Sequence, residues 1–146
     1  MSDANTSREA YGFFCEIQSR WMDNDIYGHV NNVTYYSYFD TVANNYLIEH
    51  GGLDIQNAEV VGFVVSSRCE YLAPIAHPCT INAGFRVNKL GTKSVEYGIA
   101  IFDGDAQQAA AWGTFTHVFV ERASGKSTAI PEPIRTALQN ALFEQA

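Results

Sequence analysis

The sequence is poor in basic residues. Its 146 residues include nine Lys and Arg against 16 Asp and Glu, which gives a net charge of −7. Proteins that bind nucleic acids present a basic surface that neutralises phosphates. The composition therefore argues against a nucleic-acid partner, and any polyanionic ligand must bind at local cations against an unfavourable overall field.

Long apolar runs are also missing. No stretch approaches the roughly 20 apolar residues of a membrane-spanning helix, and residues 1–9 are polar, without the apolar core of a signal peptide. Cys15, Cys69 and Cys79 are the only cysteines, an odd number without metal-ligand spacing. These absences predict a cytoplasmic protein with free thiols, no metal site and no membrane segment.

The chain does contain enough apolar residues for one hydrophobic core. Hydrophobic residues make up 47% of the sequence, so residues 1–146 are predicted to form a single domain, with 1–9 as a flexible tail. Residues 11–21 alternate between apolar and polar side chains, which predicts a half-buried strand. Its apolar face would consist of Phe13, Cys15, Ile17 and Trp21.

The period then changes to that of a helix. Between residues 33 and 50, apolar side chains recur at offsets of three and four, and Gly51-Gly52 supplies a stop. The predicted buried stripe contains Tyr35, Phe39, Val42, Ala43, Tyr46, Leu47 and His50. Four strand-like segments follow without an intervening helix, near 61–71, 81–87, 95–101 and 109–121. A short helix is predicted within 131–143, so the pattern is α+β.

The loop between the first strand and the long helix carries the chemistry. Asp23 and Asp25 stand two residues apart, followed by Gly28 and His29 and then by two asparagines. A helix N-terminus offers unpaired N–H groups and a partial positive charge. An acid beside it could act as a base or nucleophile while the donors stabilise an oxyanion. The alternative is an acidic turn that merely leads into a capped helix.

The same residues carry a family resemblance. The run Asp23-x-Asp25-x-x-Gly28-His29-Val30-Asn31-Asn32-x-x-Tyr35, preceded by Arg20, resembles the signature of hotdog-fold acyl thioesterases, above all the hydroxybenzoyl-CoA thioesterase branch. It is also similar to a segment of plant acyl-ACP thioesterases. The resemblance implies a hotdog fold, in which a curved antiparallel sheet wraps around one long central helix. It also implies assembly into homodimers or homotetramers.

The resemblance further implies an activity, the hydrolysis of an acyl-CoA to a free acid and CoA. Asp25 matches the acid that attacks the thioester or activates water, while Asp23 would hold the loop and Arg20 in place. His29 is either a second catalytic polar group or a residue that hydrogen-bonds the turn, because Tyr27 stands where the plant pattern has Asn. Backbone N–H donors for the oxyanion would come from Gly28, His29 and Val30. Tyr27, Asn31 and Asn32 would support the loop, the two asparagines serving mainly as helix caps.

The CoA phosphates need cations. The candidates are Arg68, Arg86, Lys89 and Lys93, of which the last three surround the turn after the third predicted strand. No cofactor is expected, since CoA is part of the substrate. Two alternatives remain open: an acyl-ACP thioesterase, and a non-catalytic hotdog protein that binds acyl-CoA. The sequence does not fix the acyl group.

Overall fold

A long helix packed against one antiparallel sheet defines the architecture. The computed structural model describes residues 3–144. The strands are β1 (Phe13–Gln18), β2 (Val60–Tyr71), β3 (Thr80–Leu90), β4 (Ser94–Asp103) and β5 (Ala111–Glu121), and the helices are α1 (Asp3–Thr6), α2 (Thr34–Gly51) and α3 (Glu132–Asn140). The strand order is β1-β3-β4-β5-β2, with every neighbouring pair antiparallel. The predicted α+β hotdog arrangement is confirmed.

The core lies between α2 and the concave face of the sheet. Most of the predicted helical stripe is buried, and Tyr38 joins it, whereas the His50 side chain is 47% exposed. Alternate residues of β3, β4 and β5 form the opposing wall. Their fully buried members include Phe85, Val87, Tyr97, Ile99, Ile101 and Phe119. Burial of these side chains is the main force that holds α2 on the sheet.

Gly113 of β5 allows an unusually close approach at this interface. A Cβ atom added there would lie 2.7 Å from a ring carbon of Phe39 in α2 and would collide with the backbone carbonyl of Arg68 in β2. Because any larger residue would need both neighbours to move, the sheet can hold α2 at this distance only with glycine.

The first strand is shorter than predicted. β1 ends at Gln18, and Trp21, predicted on its apolar face, begins a short 3₁₀ turn with its side chain 87% exposed. The cause is local hydrogen bonding. The backbone N–H and the Nε–H of Arg20 both donate to the Asp23 carboxylate, each at 2.9 Å, and this turns the chain out of the sheet.

The N-terminal segment, predicted as a flexible tail, is folded against the convex face from residue 3 onward; Met1 and Ser2 lie outside the described residues. The Arg8 side chain donates to the carbonyl oxygens of Ala106 and Gly104 at 2.9 and 2.8 Å. Its guanidinium also lies 4.6 Å from the ring centre of Phe102. These contacts hold the segment over a second, smaller apolar cluster around Tyr11 and Phe102.

The strand β2 forms one edge of the sheet. Within the described residues it pairs with β5 alone, along almost its whole length, and its outer edge has no partner. Three consecutive apolar residues on this strand, Phe63, Val64 and Val65, are between 41% and 63% exposed. No helix among residues 3–144 is both long and apolar enough to cross a membrane.

Candidate functional site

The two acids of the loop between β1 and α2 have different environments. Asp23 is buried, with 1% of its side chain exposed. One carboxylate oxygen accepts hydrogen bonds from the Tyr38 hydroxyl at 2.7 Å and from the Arg20 backbone N–H. The other pairs with the Arg20 guanidinium. Asp23 therefore joins the loop to α2, and the predicted contact with Arg20 is confirmed.

The ionised form of Asp23 is stabilised by these partners. Burial by itself would raise the pKa of Asp23, but the hydrogen bonds from Tyr38 and Arg20 outweigh it, and the pKa lies below its usual value. Burial and the bond to this carboxylate raise the pKa of the Tyr38 hydroxyl, which remains a neutral donor. Asp23, Arg20 and Tyr38 therefore have structural roles in the loop.

Asp25, in contrast, is only half-buried. Its Oδ1 accepts the backbone N–H of Tyr27 at 2.9 Å, and its Oδ2 accepts the side-chain amide of Asn31 at 3.3 Å. Both are oriented bonds from within the loop, and neither partner carries a charge. Asp25 is thus the acid of the pair that combines a defined orientation with access to a ligand.

The loop closes on itself through backbone bonds. The N–H of Asp25 donates to the carbonyl of His29, and the N–H of Asn31 donates to that of Asp23. Gly28 lies in the turn with φ of 87°, a conformation that costs an L-residue with a side chain about 1–2 kcal/mol. The glycine of the motif is therefore required by the backbone.

Only one of the three predicted backbone donors is available. The N–H of Gly28 donates to the Asp25 carbonyl at 3.0 Å, and that of Val30 donates to Ile75 at 2.7 Å. The prediction that these two N–H groups face a thioester oxygen is therefore wrong. The N–H of His29 has no hydrogen-bond partner among residues 3–144. The imidazole of His29 is exposed, and it forms no hydrogen bond with another described side chain or backbone group.

The two asparagines occupy supporting positions at the start of α2. The Asn31 side-chain oxygen accepts the N–H of Val33 at 3.0 Å, just before α2, while its amide reaches Asp25. The Asn32 carbonyl accepts the hydroxyl of Tyr71 at 3.0 Å, which ties the end of β2 to the helix N-terminus. The prediction that the two asparagines cap the helix is wrong, because Val33 occupies the N-cap position of α2 and no side chain forms a cap hydrogen bond there.

A groove opens beside the loop and the helix N-terminus. Its volume is about 320 Å³. Aromatic and apolar groups dominate its walls, with the ring of Tyr71 standing edge-on to Tyr35 at 5.2 Å between centroids. The lining residues are His29, Val30, Asn32, Tyr35, Tyr71, Leu72, Ala73 and Pro74. Burial raises the pKa of Tyr35 to about 12, so its hydroxyl is uncharged at neutral pH.

A second cavity of about 430 Å³ lies at the other end of α2, where His50 and Tyr46 meet the C-terminal segment. Neither loop acid lines it. Because an 18-residue helix is about 27 Å long, this cavity is remote from Asp25. The smaller groove is therefore the one relevant to the loop chemistry.

The four predicted CoA-binding cations do not gather at one place. Arg86 is only 5% exposed, and its guanidinium donates to the carbonyls of Ala4 and Ala10 and is stacked between the rings of Tyr11 and Phe143. The prediction that Arg86 binds CoA is therefore corrected: burial lowers its pKa, its guanidinium donors are used by the N-terminal segment, and the guanidinium lies against the ring of Phe143.

The other three cations are exposed. Arg68 forms an ion pair with Glu70 at 3.1 Å on the edge strand. Lys89 and Lys93 flank the turn between β3 and β4 and are exposed. This turn lies at the opposite end of β3 from the Asp25 loop, about 30 Å away at 3.3 Å per residue. Within one chain, the two lysines and Asp25 are thus at opposite ends of the sheet.

Two supporting residues were missed by the sequence reasoning. Tyr38 lies three residues after Tyr35 and four before Val42, so its place in the buried stripe was detectable from the same spacing. Asn24, which contacts the chain beyond β2, carried no local signal, because its partner is more than fifty residues away. No group of three His, Cys, Asp or Glu side chains suited to a metal ion occurs among residues 3–144.

Comparisons with known proteins agree with the fold. Residues 19–138 match the model of the thioesterase-like superfamily. The chain is similar to the crystal structure of the PA5185 protein from Pseudomonas aeruginosa, with 54% identity and a TM-score of 0.94 over 96% of this chain and 98% of that one. It shares its fold with a 1,4-dihydroxy-2-naphthoyl-CoA thioesterase from Synechocystis, at 18% identity and a TM-score of 0.79, over 88% of this chain and 96% of that one.

A curated relative, YsmA of Bacillus subtilis, is 25% identical over 88 residues, which are 60% of this chain and 59% of that protein. The match thus spans less than two thirds of the relative's length.

Proposed function

Since this chain belongs to the thioesterase-like superfamily, we propose that it hydrolyses an acyl-CoA thioester to the free acid and CoA, with Asp25 as the reacting carboxylate. The observation that carries the proposal is the contrast between the two loop acids. Asp23 is buried and saturated by Arg20 and Tyr38, whereas Asp25 is oriented by two neutral donors and remains accessible.

The surroundings of Asp25 support acyl transfer. The thioester carbonyl would lie in the groove near the start of α2, where the helix dipole favours developing negative charge. The N–H of His29, without an intramolecular partner in the described chain, is the donor that we assign to the oxyanion. We assign no required role to the His29 imidazole.

The chemistry needs only this carboxylate, water and the substrate. In one route Asp25 takes a proton from a water molecule, whose oxygen attacks the carbonyl carbon; the C–S bond then breaks, and the thiolate of CoA leaves and is protonated. In the other, Asp25 attacks first and water hydrolyses the resulting anhydride. A single turnover in H₂¹⁸O separates the routes. The first places ¹⁸O in the acid product, whereas hydrolysis of the anhydride at the Asp25 carbonyl places ¹⁸O in the Asp25 side chain and releases an unlabelled acid.

The first test is substitution of the carboxylate. Asp25→Asn preserves the side-chain volume and should lower kcat on the order of a hundredfold or more. Asp40→Asn, an exposed acid on α2, is the matched control and should retain full activity. Thiol release by folded Asp25→Asn within a few-fold of wild type would remove Asp25 from the mechanism.

The substrate is identified by a panel. Because the Synechocystis neighbour acts on an aryl-CoA, and because Tyr35 and Tyr71 line the groove, the panel includes aryl-CoA esters beside short and long alkyl-CoA esters. Acyl-ACP substrates with the same acyl groups test the carrier. We expect turnover of the CoA esters; turnover of the ACP esters alone would replace the proposal with its acyl-ACP alternative. Tight acyl-CoA binding without turnover would indicate a non-catalytic protein.

A second copy of the chain would complete the groove. The unpaired outer edge of β2, with exposed Phe63, Val64 and Val65, is the kind of edge that soluble proteins normally cover. We propose that two copies pair through it as a homodimer, from which a homotetramer can form. Light scattering should report at least a dimer at micromolar concentration, and Phe63→Lys should shift it toward the monomer. A fully active wild-type monomer would contradict this arrangement.

The partner copy would also bring cations to the carrier. Lys89 and Lys93 are remote from Asp25 in their own chain, so we propose that they meet the CoA phosphates of a substrate bound at the other subunit. Each exposed contact is worth about 0.2–1 kcal/mol, so Lys89→Ala with Lys93→Ala should raise KM several-fold at low salt with little change in kcat. An acyl-pantetheine should show no such change. If the wild type and the double variant had equal KM values for acyl-CoA at low salt, this turn would be excluded as the phosphate site.

We further propose a reducing, cytoplasmic compartment, with which the free thiols of Cys15, Cys69 and Cys79 are consistent.

A further inference from the structure

The residue between the two loop acids is bound to a distant part of the chain. The Asn24 side-chain oxygen accepts the backbone N–H of His77 at 2.9 Å, and its amide donates to the carbonyl of the same residue at 3.4 Å. One side chain thus contacts both polar backbone groups of His77. That residue belongs to the connection between β2 and β3, residues 72–79.

His77 is itself held from its other side. The Ser19 hydroxyl oxygen lies 2.6 Å from Nδ1 of the imidazole and accepts the backbone N–H of Cys79 at 2.9 Å. The hydroxyl of Ser19 therefore links the imidazole of His77 to the backbone of Cys79. Ser19 is 5% exposed, so these bonds form in a site shielded from water.

The bonds made by Asp25 itself all come from its own loop. Its carboxylate is held by Tyr27 and Asn31, and its backbone is bonded to Gly28 and His29. These bonds give the loop its shape, but they do not determine where the loop sits on the protein. That position depends on bonds from neighbouring loop residues to other elements.

Within residues 23–30, three residues form such bonds. Asp23 connects the loop to α2 through Tyr38, Asn24 connects it to His77, and the N–H of Val30 donates to the carbonyl of buried Ile75. Two of the three go to the connection between β2 and β3. The first part of the same connection, residues 72–74, forms a wall of the groove. The element that receives Asn24 therefore also borders the space where the acyl group would lie.

We propose that Asn24 is a positioning residue for Asp25, holding the carboxylate in register with the groove wall through His77. This inference rests on the proposed function. Its physical basis is that Asn24 is directly bonded in sequence to Asp25, so a shift of its backbone moves the reacting carboxylate. A displacement of about 1 Å can lower the rate of a well-oriented reaction by up to about a hundredfold.

The test uses Asn24→Ala in the full-length protein, with Asn44→Ala as the matched control. Asn44 is a half-buried asparagine whose described side-chain bonds go only to Asp40 on its own helix. We expect Asn24→Ala to lower kcat about tenfold while KM stays within twofold, because the groove remains and the carboxylate is misplaced. Asn44→Ala should change neither constant. Urea unfolding of each variant determines the folded fraction used in kcat.

A double-mutant cycle with Ser19→Ala provides a readout that loss of stability alone would not give. Both side chains act on His77, so their effects on kcat should be non-additive, the second substitution costing less than it does in the wild type. Additive effects, or an Asn24→Ala loss explained by the unfolded fraction, would overturn the proposal. So would an unchanged kcat in folded Asn24→Ala while Asp25→Asn is inactive, a result that leaves the proposed function intact.

If the wild type releases no thiol from any acyl-CoA, the proposed function fails. The positioning of the loop by the hydrogen bonds between Asn24 and His77 is then tested by amide hydrogen exchange. Asn24→Ala should then accelerate exchange of the loop N–H groups of Tyr27 and Val30 several-fold, whereas Asn44→Ala should not. Unchanged exchange in the loop would overturn the positioning role independently of catalysis.

Discussion

Acidification should destabilise this protein through one buried histidine. His117 of β5 is 1% exposed and lies on the inner face of the sheet among aromatic rings. Its Nδ1 is 3.0 Å from the hydroxyl of Tyr97, whose pKa burial raises, so the neighbouring group stays neutral. No carboxylate among the described residues pairs with the ring. Burial lowers the pKa of His117 to about 4, from 6.5.

The direction and size of the effect follow from linkage. His117 binds a proton near pH 6.5 in the unfolded chain and only near pH 4 in the folded protein. As the pH falls between these values, the unfolded state is therefore stabilised relative to the folded state. The neutral ring's contribution is fully present above pH 6.5. With these two pKa values, the loss reaches about 2 kcal/mol at pH 5 and about 3 kcal/mol at pH 4, and it levels off at lower pH.

The assay is urea unfolding from pH 8 to pH 4, comparing wild type with His117→Gln. Glutamine keeps an oxygen that can accept the Tyr97 hydroxyl but does not titrate. The contributions of other groups, including Asp23, cancel in the difference between the two curves. We expect the wild type to lose about 3 kcal/mol relative to the variant by pH 4. Parallel curves would show that His117 keeps an ordinary pKa and would refute the reasoning.

Two further predictions concern packing and the buried acid. Gly113→Ala should destabilise the fold by about 3 kcal/mol in urea unfolding, because the added methyl group collides with the backbone of β2; Gly12→Ala, whose new atom would contact nothing, should change stability little, and equal effects would contradict the close approach. Tyr38→Phe should cost about 1.5–3 kcal/mol at pH 7 through the lost bond to the Asp23 carboxylate. This cost should shrink below about pH 4 as that acid is protonated, and a cost independent of pH would assign it to packing.

Periodicity was sufficient to predict the five strands and the helix α2 of this fold, but not α1. The three- and four-residue spacing from Tyr35 to Leu47 located α2, and the alternation from Val95 to Ile101 located β4 within a few residues. Strand order was not predictable in this way. It depends on which apolar faces fit together across the sheet, and residues such as Val61 and Val120 pair although 59 positions separate them.

In the candidate site, too, local contacts were predictable from the sequence and long-range contacts were not. The motif predicted the contact between Arg20 and Asp23, because that contact is local, while the reacting role of Asp25 stays a prediction. Asn24 and its partner His77 were missed, because no sequence pattern indicates which distant backbone groups a neutral side chain will contact. Arg86 was misassigned for a related reason: charge alone suggests a phosphate ligand, and only the tertiary structure shows that its donors are used internally.

The position of Arg86 indicates that the chain could be circularly permuted. Its guanidinium contacts Ala4 near the beginning of the described chain and Phe143 near its end, so the two ends lie a few ångströms from a common point. A short peptide could join them, and new termini could be opened at the exposed turn around Gly125. In such a circular permutant α3 would be synthesised before the five strands instead of after them, while the strands would keep their order along the chain. The packing of α3 on α2 could then form as soon as α2 emerges, instead of being the last step.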